Sequence, residues 1–198
     1  MSVLRGRIDD GYRDAGLDKA TRALLIMDYV HHEVHEGSHY TAMWSVADIG
    51  AATTPADAMT LTFVTPDTTK WCHMVALFSG VGGTLCTIRE AGTGGNTATG
   101  TVLCNNNNRN STNTSGLLDL TGTAGKMSYD TELDTAGTLL RSEYISGAAT
   151  NQNKGGSVST ERFEWVLKQN TRYQIAMRST ATVAASIVVH WYEHTSKS

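Results

Sequence analysis

Residues 31 to 40 read HHEVHEGSHY and gather four of the chain's seven histidines and two glutamates into ten positions. Imidazole and carboxylate are ligand types of zinc, iron and manganese centres, so metal chemistry is the first possibility to weigh. Read as a strand, Tyr29 to His35 places Tyr29, His31, Glu33 and His35 on one side and Val30, His32 and Val34 on the other. Alternate strand residues stand about 6 to 7 Å apart, which lets His31, Glu33 and His35 share an ion, with His39 added from a neighbouring strand. The chain closes on a related cluster, HWYEH, in which His190, Tyr192 and His194 take one face and Trp191 and Glu193 the other.

The spacing is not that of HExxH on a helix. Histidine and glutamate also pair across strands and between subunits, where they exchange hydrogen bonds and offset charge. A structural polar patch is therefore the leading reading, with the metal set His31, Glu33 and His35 as the alternative. Other signatures of catalysis are missing: GTGG at Gly92 to Gly95 has no phosphate-loop continuation, and FSGVGG is no nucleophile elbow. The expectation is a protein without cofactor and without enzymatic activity. The tract CNNNNRNSTNTSG, from Cys104 to Gly116, reads as a long exposed loop, because Asn and Ser compete with regular ladders for backbone hydrogen bonds. Its Asn105, Asn106, Asn107, Asn108, Arg109 and Asn110 could contact a partner or, through amide donors and acceptors, a glycan.

The elements that would carry these residues are strands. His39 to Val46, Met59 to Pro66, Trp71 to Gly80, the run TLCTIREA, Gly100 to Leu103, Gly137 to Ile145, Glu161 to Leu167, Tyr173 to Ser179 and Ala184 to Tyr192 alternate or run apolar between turn signals. Pro55 marks a loop, and short helices compete over Asp18 to Met27 and between Thr123 and Asp134. The pattern predicts an all-β sandwich, jelly-roll-like, spanning residues 18–198 as one domain behind an extended N-terminal arm, Met1 to Leu17. Trp44, Trp71, Trp165 and Trp191 fall in separate strands and suit core or subunit contacts.

Composition agrees. Charged residues make up only 18% of the chain, and Thr, Gly, Asn and Ser fill the difference. A net charge of -3 without a Lys/Arg block gives no footprint for nucleic acid. Apolar runs are too short to span a bilayer, and MSVLRGRIDDG lacks a signal-peptide core, so synthesis in the cytoplasm is expected. Cys72, Cys86 and Cys104 form neither a disulfide framework nor a metal knuckle and read as buried thiols.

Taken together, HHEVHEGSHYTA, TPDTTKWCHMVA, CNNNNRNST and the terminal WYEH resemble segments of tailed-bacteriophage capsid decoration, or head-stabilising, proteins. The resemblance spans much of residues 29 to 194 and carries no catalytic site. It implies a virion protein on the outer capsid surface, a small homo-oligomer such as a trimer, that bridges major-capsid subunits. A fibre-associated module recognising glycans and a metal-dependent jelly-roll enzyme are the alternatives. The residues expected at the interface are His31, His32, His35, His39, Trp191 and His194. Protonation of such a patch loosens assembly in acid, so light scattering that stays constant between about pH 8 and pH 5 would overturn this expectation.

Overall fold

The computed structural model describes residues 5–8, 11–14, 29–47, 49, 59–81, 83–94, 98–131, 135–145, 155–158, 163–179 and 182–195. The helix expected as an option over Asp18 to Met27 and the loop at Pro55 lie outside them. Within the stretch read as an extended arm, β1 (Arg5–Ile8) and β2 (Gly11–Asp14) pair with each other as an antiparallel hairpin. One helix follows, α1 (Tyr29–Glu36), and then β3 (His39–Val46), β4 (Met59–Val64), β5 (Trp71–Val81) and β6 (Thr84–Glu90). An insertion holds β7 (Gly100–Leu103), β8 (Asn105–Asn106) and β9 (Lys126–Tyr129). The chain continues with β10 (Thr138–Ile145), β11 (Gly155–Val158), β12 (Trp165–Val166), β13 (Arg172–Ser179) and β14 (Ala185–His194).

Two antiparallel sheets pack face to face. The first has the order β10-β6-β13-β4-β9-β7, the second β11-β5-β14-β3-β8, with β12 also pairing with β5. If β11 and β12 are taken as one interrupted edge strand, the orders β10-β6-β13-β4 and β11/β12-β5-β14-β3 are those of a jelly roll, with first and last strands adjacent in one sheet. The all-β sandwich is the class that the strand pattern predicted, and the strand order is decided by the tertiary structure. The stretch expected as a possible helix between Thr123 and Asp134 instead holds β9 at the edge of the first sheet.

The core follows from period-two alternation. Leu61, Phe63, Ile88, Ile175 and Met177 of the first sheet face Tyr40, Met74, Phe78, Ile187 and Trp191 of the second, all of them buried. Each large apolar side chain removed from water contributes about 1.5–3 kcal/mol. Cys72 and Cys86 are buried free thiols, as expected, and Cys104 is half-buried. The insertion closes one side of the sandwich: β9 pairs with β4, β8 pairs with β3, and Trp44 stacks on Tyr129 at 4.0 Å between ring centroids.

At the end of β6 one buried carboxylate ties β13 and the connection that precedes it to β6. Glu90 accepts the Tyr173 hydroxyl at 2.7 Å and the Lys168 ammonium at 2.6 Å, and the Tyr173 oxygen also accepts the Lys168 backbone N–H. Burial alone would raise the Glu90 pKa, but these hydrogen bonds and the Lys168 charge outweigh it and hold the carboxyl below its ordinary value. A lowered folded-state pKa stabilises the fold above the unfolded pKa and ceases to do so as pH falls through the folded one. Glu90→Gln is expected to cost about 1–3 kcal/mol in urea unfolding at neutral pH and to flatten the loss of stability in acid. Equal acid sensitivity in the variant and the parent would contradict this assignment.

Candidate functional site

The segment Tyr29 to Glu36 is helical, which corrects the strand expected there. Its end explains the difference. Gly37 takes φ +72°, its N–H donates to the Val34 carbonyl at 3.1 Å, and the Ser38 N–H donates to the Glu33 carbonyl at 3.0 Å. These are the two bonds of a Schellman cap, for which glycine supplies the left-handed conformation. With about 100° between successive helical residues, Glu33 cannot share a face with His31 and His35. Glu33 is buried and His35 exposed, so the metal set His31, Glu33 and His35 does not form.

The asparagine tract is likewise no free loop. Helix ends leave carbonyls without partners, and here the amides supply them. Asn108 Nδ2 donates to the His35 carbonyl at 3.0 Å, Asn113 Nδ2 to those of Glu36 and Gly37, and Asn106 Nδ2 to that of Gly37 at 2.8 Å. Asn106 is buried within β8, whereas Asn105, Asn107, Arg109 and Asn110 stay exposed. The glycan-contact reading of the tract therefore narrows, because Asn106 and Asn108 are committed to the helix end.

The outer face of the second sheet carries the groove that sequence reasoning did not assemble. Strand register brings His73, Tyr192 and His39 into one row across β5, β14 and β3; Val75, His190 and Thr41 form the next; Leu77, Val188 and Met43 the third. His39, His73, Tyr192, Val75 and His190 of the first two rows, with Leu77, Val34 of α1, Asn107, Glu164 and Trp191, line a cavity of about 360 Å³. His190, Tyr192 and His194 do share a face, as the alternation in HWYEH predicted. His73 and Glu164 were absent from the expected site, and their only signal was placement: His73 takes one of the alternate outward positions of β5 that start at Trp71, and Glu164 borders β12.

Polar contacts organise the groove. Glu164 Oε1 lies 2.8 Å from His73 Nδ1 and accepts the Tyr192 hydroxyl at 2.7 Å, while the His73 and Tyr192 rings stack at 4.6 Å. The carboxylate thus selects the Nδ1–H form of His73. A second chain runs across the other wall: Thr41 Oγ1 donates to Asn107 Oδ1 at 2.8 Å and stands 3.0 Å from His190 Nδ1, and Asn107 Nδ2 stands 2.6 Å from His39 Nδ1. Since the Thr41 proton is used on Asn107, His190 Nδ1–H donates to Thr41, and His39 Nδ1 accepts from the Asn107 amide. The groove thus sets oriented polar groups beside an apolar wall. Burial pushes the Cys86 and Cys104 thiols up to about 12, so neither supplies a thiolate near neutral pH.

The expected interface residues divide. His39 is in the groove, and His35 is exposed on α1. His32 stands with its Nε2 3.2 Å from Glu36 Oε1, and His194 with its Nε2 3.9 Å from Glu33 Oε1. The side chain of His31 lies outside the described residues. Trp191, expected at the interface, is 1% exposed: it packs toward the core, stacks on Tyr40 and donates its indole N–H to Ser115 and Glu193, and it also borders the groove from beneath the sheet face.

No family model, curated protein or solved structure matches the chain.

The helix cap yields a direct test. Asn106→Ala removes an amide that serves the Gly37 and Asn113 carbonyls from a buried position and is expected to cost about 1–3 kcal/mol, whereas exposed Asn110→Ala stays within about 0.5 kcal/mol. Chemical denaturation compares the two, and equal midpoints would remove the capping role.

Proposed function

We propose that the protein is a non-enzymatic virion protein that joins the outer surface of an assembled phage head and stabilises it by bridging major-capsid subunits. The observation that carries this reading is the outward face of the second sheet, where Leu77, Val188 and Met43 form an apolar row beside the histidine and tyrosine rows. In a two-layer sandwich the outward positions ordinarily read polar. Met43, paired in register with Val188, is 60% exposed. An apolar centre with aromatic and polar groups at its margin is the composition of a protein interface. The resemblance of the histidine, asparagine and terminal motifs to decoration proteins supplies the partner.

The mechanism in this reading is mechanical. A protein that binds only the assembled shell shifts the equilibrium toward that shell, and symmetry repeats each modest contact around the head. A homo-oligomer such as a trimer would let one copy reach several capsid subunits. A second reading, a fibre-associated module for glycans, draws on Asn107, the one asparagine of the tract that lines the groove, which Tyr192 also lines.

Co-sedimentation with undecorated heads tests the first reading. Wild-type protein is expected to saturate at a fixed number of copies per capsomer and to delay release of DNA on heating. Leu77→Asp with Val188→Asp should weaken head binding by more than about thirtyfold, the loss of roughly 2 kcal/mol typical of an interface anchor. Tyr144→Ser, on the exposed β10 of the first sheet, should bind as the parent does. Heads that take up no protein, or that take up the double variant equally well, would refute the proposal, and glycan binding by the same protein would favour the second reading.

A further inference from the structure

The helix α1 holds a carboxylate that its own fold leaves half used. Glu33 is 1% exposed. Its Oε2 accepts the Ser38 hydroxyl, but its Oε1 has no hydrogen-bond partner. A buried carboxylate oxygen without a donor is costly and rare in a folded protein.

The groups around Oε1 are metal ligands by type. His32 Nδ1 stands 3.8 Å away and His194 Nε2 3.9 Å away. Glu36, one turn along the helix from His32, brings its Oε1 to 3.2 Å from His32 Nε2. One donor atom from each of His32, Glu33 and Glu36 can be chosen so that all lie within 4.8 Å of one another. The two contacts to Glu33 are too long for hydrogen bonds. Ligands on a tetrahedral ion with bonds of about 2.0–2.1 Å stand about 3.3 Å apart, so a small inward turn of these side chains brings them to bonding distance.

We infer that His32, Glu33 and Glu36 form a site for a divalent cation of the zinc type, with His194 beside Glu33 at the range of a fourth ligand. The donor set chooses the ion: magnesium and calcium favour all-oxygen shells, whereas mixed imidazole and carboxylate suits zinc. The cation supplies Glu33 Oε1 with the positive partner that no hydrogen-bond donor provides. It also joins α1 to the end of β14, since three ligands come from the helix and the fourth from the strand. This site is separate from the groove and independent of the capsid reading. A proton shared between Glu33 and the two histidines is the competing way to balance the buried charge, and it predicts no bound metal.

Chelator-treated full-length protein, dialysed against zinc and analysed by elemental mass spectrometry with a parallel thermal melt, separates the two. The expected result is one zinc per chain and a raised Tm. Glu33→Gln risks the fold, so the informative variant is His32→Ala with Glu36→Gln, both at exposed positions. It should lose the Tm rise and bind zinc more than about tenfold more weakly, the least that disturbing a metal shell costs. His35→Ala, on the same helix outside the cluster, should keep both. Absence of stoichiometric zinc from the parent, retention of it by the double variant, or equal loss in His35→Ala would overturn the site.

Discussion

Strand β14 cannot slip by one residue without turning the molecule inside out. It lies between β5 and β3, and each of its residues is assigned by parity: Ile187, Val189, Trp191 and Glu193 point into the sandwich, and Val188, His190, Tyr192 and His194 point away. A shift of register would place imidazoles among Met74 and Phe78 and expose the Trp191 indole. The burial energy of the core therefore sets the geometry of the groove. The same strand ends beside Glu33, so the helix cluster depends on it as well.

The insertion and the helix hold each other by polar contacts rather than by buried area. An eight-residue helix has little stability alone in water. The amides of Asn106, Asn108 and Asn113 serve the carbonyls at its end, and Gly37 closes it; a Cβ there would collide with the Ser111 side chain. A few residues on, Glu193 accepts the Ser115 hydroxyl, the Gly116 N–H and the Trp191 indole N–H. One end of the tract is thereby tied to α1 and the other to the central strand, which keeps Asn107 at the groove.

On the outward face, the hydrogen-bond chains and the apolar row serve different ends. The His190–Thr41–Asn107–His39 chain and the Glu164–His73–Tyr192 cluster orient their side chains before any partner arrives. Orientation in advance lowers the entropy that binding must overcome. The row of Leu77, Val188 and Met43 supplies area that gains by leaving water. Rigid polar groups beside an apolar strip suit recognition of a fixed protein surface, in line with the proposed attachment to an assembled shell.

Strand-period alternation and turn chemistry in the sequence determined the all-β class, most strand positions, the burial of Cys72 and Cys86, and the split of HWYEH into two faces. They are local properties, written in the spacing of apolar residues. Tyr29 to His35 is ambiguous locally, because seven residues fit a period of two and a period of 3.6 about equally. Gly37 and the spacing of His32 from Glu36 were the helical signals present in the text. Only the tertiary structure decided that asparagines some seventy positions away would cap that helix, that Trp191 would face the core, and that His73 and Glu164 would meet Tyr192. Those pairings depend on strand register and sheet order, which join residues distant in the chain, and no local spacing encodes them.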